Sequence, residues 1–381
     1  MNVLAETILS NARIVLAGET ITGSVQVRDG LIVAVDAGAT RHGEDMGGDY
    51  LIAGLIELHT DHLENHYRPR PGVFWEPLAA LHAHDVQIAG SGITTVFDAV
   101  RIGSDADLPD MLEHAEKLVQ AVRAGREGNW LRADHFIHLR CELPSHDVVA
   151  HFEALADHPA TRLASVMDHT PGQRQFRSLA DYKRFYAKQL GGSAEQLQAF
   201  VDARQQEHER YSARNRQAIV ARAHELGLAL ASHDDATLAH IEEAEADGIA
   251  IAEFPTTLEA AAAAHDAGLA ILMGAPNVVR GKSHSGNISA TDLVAAGLLD
   301  ILSSDYVPFA LLQAAFLLPQ RVEGLDLCQA LATVTLNPAR AAGLDDRGEI
   351  APGKRADLVR VAAEAPLPAV RAVWRAGQRV S

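Results

Sequence analysis

Between residues 51 and 308, eight short apolar runs alternate with longer stretches of helical pattern: LIAGLIELH, GITTVFDAV, HFIHLRCEL, ASVMDHT, LALASHD, IAIAEFP, LAILMGAP and DILSSDYVP. Parallel strands cannot be joined by tight turns and need crossovers of a dozen residues or more, so this rhythm reads as repeated βα units around a parallel sheet. SARNRQAIVARAHELG before LALASHD and TTLEAAAAAHDAG before LAILMGAP both close on glycine, as helix ends often do. Eight strands favour a closed (β/α)8 barrel of the TIM type. An open doubly wound sheet is the alternative, but neither GxGxxG nor GxxxxGK[ST] occurs where such a sheet would bind phosphates.

A barrel of this kind takes about 250 residues, and the chain has 381. The surplus lies at the ends. SVQVRDGLIVAV, residues 24–35, alternates in a β manner around Asp29-Gly30, a two-residue hairpin signal, and LVRVAAEAPLPAVRAVWRAGQRVS also reads as short strands. Neither end is large enough to fold alone. The expected organisation is a composite β-sandwich domain, made of residues 1–52 and 346–381, flanking a barrel of residues 53–345.

Hydrophobic content of 48% with 22% charged residues is that of a globular protein, and no apolar run approaches the ~18–20 residues of a membrane span. The first residues lack the basic start and apolar stretch of an export signal, and Cys141 and Cys328 are the only cysteines. A cytoplasmic protein is expected, with a homodimer as the prior from symmetry. The net charge of −17 repels a polyanion such as nucleic acid, so an anionic substrate must meet a local basic cluster.

In a barrel, the C-terminal ends of the strands face the active site. Here those ends carry His59/Asp61, Asp98, Glu142, Asp168/His169, His233/Asp234, Glu253, Asn277 and Asp305. Buried carboxylates and imidazoles cost free energy unless paired or coordinated, and convergence on a divalent metal would satisfy many together. His59 and Asp61, at i and i+2 of a strand, would share a face and could grip one ion. Glu142 could bridge two ions, and His169, His233 and Asp305 would complete a nitrogen and oxygen set that suits Zn2+, with Mn2+ or Fe2+ as alternatives. Taken singly, each has a structural reading as a turn or helix cap; it is their coincidence at many strand ends that points to a metal. His62 could replace Asp61 as ligand if the strand ends early. Cys141, beside Glu142, should point away from the site.

HTDHLENHYRPRPG, GITTVFDA, RCELP, MDHTPGQRQF, ASHDDAT, AEFPTT, MGAPNVVRGKSHSGN, SSDYVP, NPARAAGL and DRGEIAPGKRADLV together resemble the PhnM family of the amidohydrolase superfamily, over about residues 50–361. The resemblance implies a metal-dependent diphosphatase of the carbon–phosphorus lyase pathway, cleaving α-D-ribose 1-methylphosphonate 5-triphosphate to the 5-phosphate and pyrophosphate. Three departures from the commonest superfamily pattern stand out. The opening motif is HxD rather than HxH, Glu142 stands where relatives carry a carbamylated lysine, and the histidines fall on the fourth and fifth strands, leaving Glu253 on the sixth as a further ligand candidate.

Such a substrate implies cations around the metals. Arg68 and Arg70 follow the first strand, Arg140 precedes Glu142, Arg174 follows His169, and Arg280 and Lys282 follow the seventh strand; with His62 and His284 they are the expected substrate contacts. Arg140, sharing a strand face with Glu142, could instead orient that carboxylate. The expected chemistry is attack of a metal-bound hydroxide on phosphorus, with Asp305 taking the proton. A C–N hydrolase, deaminase or cyclic amidase, is the second reading, and a non-catalytic barrel partner of phosphonate proteins the third.

Overall fold

A computed structural model describes residues 6–104, 110–174, 194–281, 287–362 and 367–381, and places their strands in two sheets of eight. One sheet draws on both ends of the chain: β1 (Glu6–Val15), β2 (Thr20–Arg28), β3 (Leu31–Ala37), β4 (Glu44–Asp45) and β5 (Tyr50–Ala53), then β14 (Leu358–Ala362), β15 (Ala369–Arg375) and β16 (Gln378–Arg379). β5 joins the halves, pairing parallel to β1 and antiparallel to β14. The hairpin at Asp29-Gly30 forms, both residues having positive φ (53° and 81°), as a type I′ turn requires. Leu9, Ile14, Val25, Leu51, Leu358 and Trp374 are buried together in the core of this sheet.

The second sheet is parallel and sequential: β6 (Leu55–Thr60), β7 (Ile93–Ile102), β8 (Asp134–Glu142), β9 (Thr161–Met167), β10 (Ala229–His233), β11 (Ile251–Glu253), β12 (Ala270–Gly274) and β13 (Ile301–Ser303). A parallel bridge from Thr60 to Asp305 brings the first and eighth strands together, so the sheet closes on itself. All eight apolar runs contain a strand. The first run, however, divides at Gly54, with residues 50–53 in the terminal sheet and 55–60 in the barrel. Glycine is needed there because a Cβ at position 54 would lie 2.1 Å from Thr94 Oγ1.

Helices follow the barrel strands: α1 (His62–Tyr67) and α2 (Pro77–Gly90) after β6, α3 (Met111–Glu127) after β7, α4 (Val148–Leu155) after β8, and α5 (Ala194–Leu226) before β10. After β10 and β11 come α6 (Leu238–Ala246) and α7 (Leu258–Asp266), whose N-termini are capped by the Thr237 and Thr257 side chains. α8 (Ala275–Arg280) begins directly from β12. Among the described residues, no helix is long and apolar enough to cross a membrane.

Ile56, Leu58, Phe97, Phe136, Leu163 and Leu272 belong to one buried apolar cluster contributed by the barrel strands. The barrel seam is polar. Glu57, on β6 and fully buried, accepts hydrogen bonds from the Ser304 and His59 N–H groups and pairs with the Ser303 hydroxyl at 2.7 Å. Burial pushes its carboxyl up to about 7. Thr60 Oγ1 adds a 2.9 Å bond to Asp305 O, so the backbone that presents Asp305 is tied to the first strand.

A second polar joint connects barrel to terminal sheet. Asp134, at the start of β8, accepts from Arg347 (2.8 Å), Arg355 and Arg375 (3.1 Å).

Candidate metal centre

The C-terminal ends of the barrel strands open into a cavity of about 260 Å³ whose polar wall is formed by His59, Arg140, His169, His233, Asp234 and Asp305. Arg280 and Asn277, both from α8, line it from one side, and Phe254 from another. Three residues just past strand ends take left-handed backbone: Asp234 (φ 57°), Phe254 (φ 53°) and Asp305 (φ 55°). Such φ values are uncommon outside glycine and genuinely unusual for a bulky ring. All three residues line the cavity.

His169 Nε2 lies 3.9 Å and His233 Nε2 3.7 Å from Asp234 Oδ2. Ligand atoms at such separations can surround one cation at the ~2.0–2.2 Å bond lengths of zinc. Each imidazole is oriented through its other nitrogen. His169 Nδ1–H donates to Glu142 Oε2 at 2.7 Å, and His233 Nδ1–H to Glu253 Oε2 at 3.1 Å. Carboxylates behind metal-binding histidines fix the tautomer in this way and leave Nε2 as the ligand.

His59 stands across from His233, ring centroids 5.5 Å apart, with Nδ1 3.1 Å from the same Glu253 oxygen. Asp234 Oδ2, Asp61 Oδ1 and Glu253 Oε1 are buried with no hydrogen-bond partner. Burial pushes the Asp234 and Asp305 carboxyls up to about 7, with Asp235 and Asp61 respectively adding repulsion. Burial likewise holds His233 down to about 3 and His59 well below its ordinary value. Neutral imidazoles beside under-compensated carboxylates are a donor set that a divalent cation fits.

Several expected residues sit otherwise than the sequence suggested. Asp61 is not on the strand, which ends at Thr60; it is the residue before α1, so strand alternation does not place it beside His59. Its carboxyl lies close enough to Asp305 to raise that group. Glu142, expected as a ligand able to bridge two ions, is hydrogen-bonded through Oε2 to His169 Nδ1. Burial alone would raise it, but His169 and Arg101, whose guanidinium is 3.7 Å away, outweigh burial and hold it well below the usual carboxylate range. The guanidinium placed to orient Glu142 is therefore Arg101, while Arg140 lines the cavity with its Nε buried and without a hydrogen-bond partner.

His62 is turned away from the cavity toward His66 and His84. Arg68 lies over the Phe74 ring at 5.8 Å, and Arg70 is exposed in the following turn; neither lines the cavity. Arg174 is buried and paired to Asp235, between β10 and α6, and to Glu243 of α6, carboxylates that its loop position did not reveal. Lys282 and His284 lie outside the described residues.

Asp98, read as a strand end, falls mid-strand because β7 runs on to Ile102, and it faces His84 and His135. Asp168 turns to α5, accepting from His208 and Ser212. Cys141 points outward into the apolar layer, as alternation requires. Two inward residues were not anticipated, Glu57 and His138. His138 packs on His59 (centroids 4.9 Å), bonds Leu58 O and Ser165, and has Nε2 3.9 Å from Glu253 Oε1. The signal was present, since His138, Arg140 and Glu142 alternate on one strand face.

The family model described as Amidohydrolase family matches residues 50–380. The chain is 45% identical over 376 residues to the alpha-D-ribose 1-methylphosphonate 5-triphosphate diphosphatase of Escherichia coli, covering 98% of this chain and 100% of that one. Among solved structures it resembles N-acetyl-D-glucosamine-6-phosphate deacetylase from Mycobacterium smegmatis (TM-score 0.66, 16% identity, 99% of each chain). It also resembles 5-methylcytosine deaminase from Klebsiella pneumoniae (TM-score 0.63, 16% identity, 98% and 97%). At those identities the likeness is one of fold.

Proposed function

The chain belongs to the amidohydrolase family, and we propose that it hydrolyses α-D-ribose 1-methylphosphonate 5-triphosphate to the 5-phosphate and pyrophosphate in phosphonate catabolism. The observation that carries this reading is the full-length 45% identity to a diphosphatase of that name. Two guanidinium groups in the cavity wall, Arg140 and Arg280, support it, since a polyanion needs them and a neutral heterocycle does not. His169, His233 and Asp234 would hold a cation, with Glu142 and Glu253 fixing the two imidazoles; His59 and Asp61 are candidates for a second ion. Zn2+ suits this donor set, and when bound such an ion supplies Lewis-acid polarisation and acidifies water.

The chain's own residues do the rest. Asp305, which lines the cavity on a backbone tied to the first strand, would take the proton of the attacking water. Arg280 and Arg140 offset charge on the departing pyrophosphate by charge-assisted hydrogen bonds. Both cysteines are free, buried thiols, which supports a cytoplasmic location.

The function is tested by assaying pyrophosphate release from the ribosyl triphosphate beside ammonia release from nucleobases. Pyrophosphate alone is expected, and ammonia alone would replace this reading with that of a C–N hydrolase. Dialysis against a chelator should abolish turnover, and Zn2+ or Mn2+ should restore it; undiminished activity in metal-free enzyme would remove the cation from the chemistry. Arg280→Ala should lower kcat/KM by roughly 10- to 100-fold, the value of one charge-assisted bond at about 1.5–3 kcal/mol. Unchanged kcat/KM would place the anion elsewhere.

A further inference from the structure

A second group of histidines lies beside the barrel, outside the cavity. α1 carries His62 and His66 at i and i+4, neighbours on one helix face, and α2 brings His84 up to them. Their ring centroids form a triangle of 5.0, 5.8 and 5.9 Å, and each ring offers a nitrogen within 4.8 Å of the others.

The hydrogen bonds around these rings settle which nitrogens are free. His84 is fully buried, and its Nε2–H donates to Asp98 Oδ1 at 2.7 Å. Its Nδ1 is therefore a bare lone pair, buried and without a hydrogen-bond partner, and His62 Nδ1 is buried without a partner as well. His66 donates Nε2–H to Gln87 Oε1 at 3.0 Å, which leaves its Nδ1 as the acceptor nitrogen. A buried acceptor with no donor costs about 1–3 kcal/mol, and His84 Nδ1 is such an atom.

Asp98 is itself anchored, its other oxygen bonded to His135 Nδ1 at 2.7 Å, and His135 Nε2 lies 3.3 Å from Asp85. A ligand imidazole backed by an anchored carboxylate is the arrangement that raises imidazole basicity toward a metal. By contrast, both nitrogens of His135 are already bonded to carboxylates, so that inner group needs no ion.

We propose that His62, His66 and His84 form a binding site for one divalent transition-metal ion, separate from the barrel-mouth centre, with Asp98 and Gln87 as the outer partners of His84 and His66. Three neutral nitrogens with an open fourth position suit Zn2+, and Co2+ serves as its spectroscopic probe. An ion there clamps α1, which starts immediately after Asp61, onto α2.

The test is metal stoichiometry of the full chain, measured by elemental analysis after saturation with Zn2+ and gel filtration. His66→Ala, at a half-buried position, should bind one equivalent fewer than wild type, and Co2+ titration should lose one equivalent of visible absorption. Asp234→Asn reports the barrel-mouth centre, and its loss should add to that of His66→Ala. If the barrel mouth holds no metal, wild type should still bind the single equivalent that His66→Ala loses, so the two readings fail separately. Should His66→Ala not fold by circular dichroism, His62→Asn carries the same expectation. Equal stoichiometry in wild type and the folded variant overturns the site.

Discussion

Asp305→Asn is expected to lower kcat by about 10²–10⁴-fold, the contribution typical of a positioned general base, while leaving the fold and metal content near those of wild type. Asparagine keeps the shape of the side chain and tolerates the left-handed backbone (φ 55°) that aims residue 305 into the cavity. The bond from Thr60 Oγ1 goes to the main-chain oxygen of Asp305 and is untouched by the change. What is lost is the proton acceptor alone. The loss should therefore fall on kcat with KM little changed. Turnover at the wild-type rate would strike Asp305 from proton transfer and leave Asp234 or Glu253 as the carboxylates to test.

Asp134→Ala should cost about 3–5 kcal/mol of stability, because it strips the shared carboxylate from three partly buried arginines. For a chain of 381 residues this is a fall in Tm of roughly 4–6 °C. The pH dependence has a definite sign. Burial works against the Asp134 charge, yet Arg355 and Arg347 outweigh it and hold the carboxyl at about 2, below its ordinary 3.8. Its contribution, about 2 kcal/mol, is present above pH 3.8 and disappears as pH falls through about 2. The gap between the thermal melts of wild type and Asp134→Ala should therefore narrow in acid, by about 2 kcal/mol. Equal melting temperatures at neutral pH would show that the three arginines find other partners.

The barrel was legible because its strands are buried on both faces and read as apolar runs, and His233, Asp234 and Asp305 stood out as the polar residues that end such runs. The mixed terminal sheet was legible as two unfinished halves. Less visible were positions governed by where a strand stops. Asp61 seemed to share a face with His59 only because nothing in LHTDH marks Thr60 as the last strand residue, and Asp98 seemed terminal because β7 runs past it. Arginines near the strand ends carry no common signal. Arg140 on β8 and Arg280 at the end of α8 reach the cavity while Arg68 covers Phe74 and Arg174 meets Asp235, and only the folded backbone distinguishes them. Glu57 was missed for the opposite reason, since a charge inside the run LIELH looks like an interruption until its donors from the eighth strand are seen.

The sharing of one sheet between the two ends of the chain sets an order of events during synthesis. β5 can pair with β1 as soon as both emerge, but its other edge waits for β14, whose first residue is Leu358. At translation rates of about 5–20 residues per second, that leaves the edge open for roughly 15–60 s. The nascent N-terminal strands thus spend that interval as an unfinished template until β14 closes the edge of β5, with β15 and β16 then extending the sheet beyond β14.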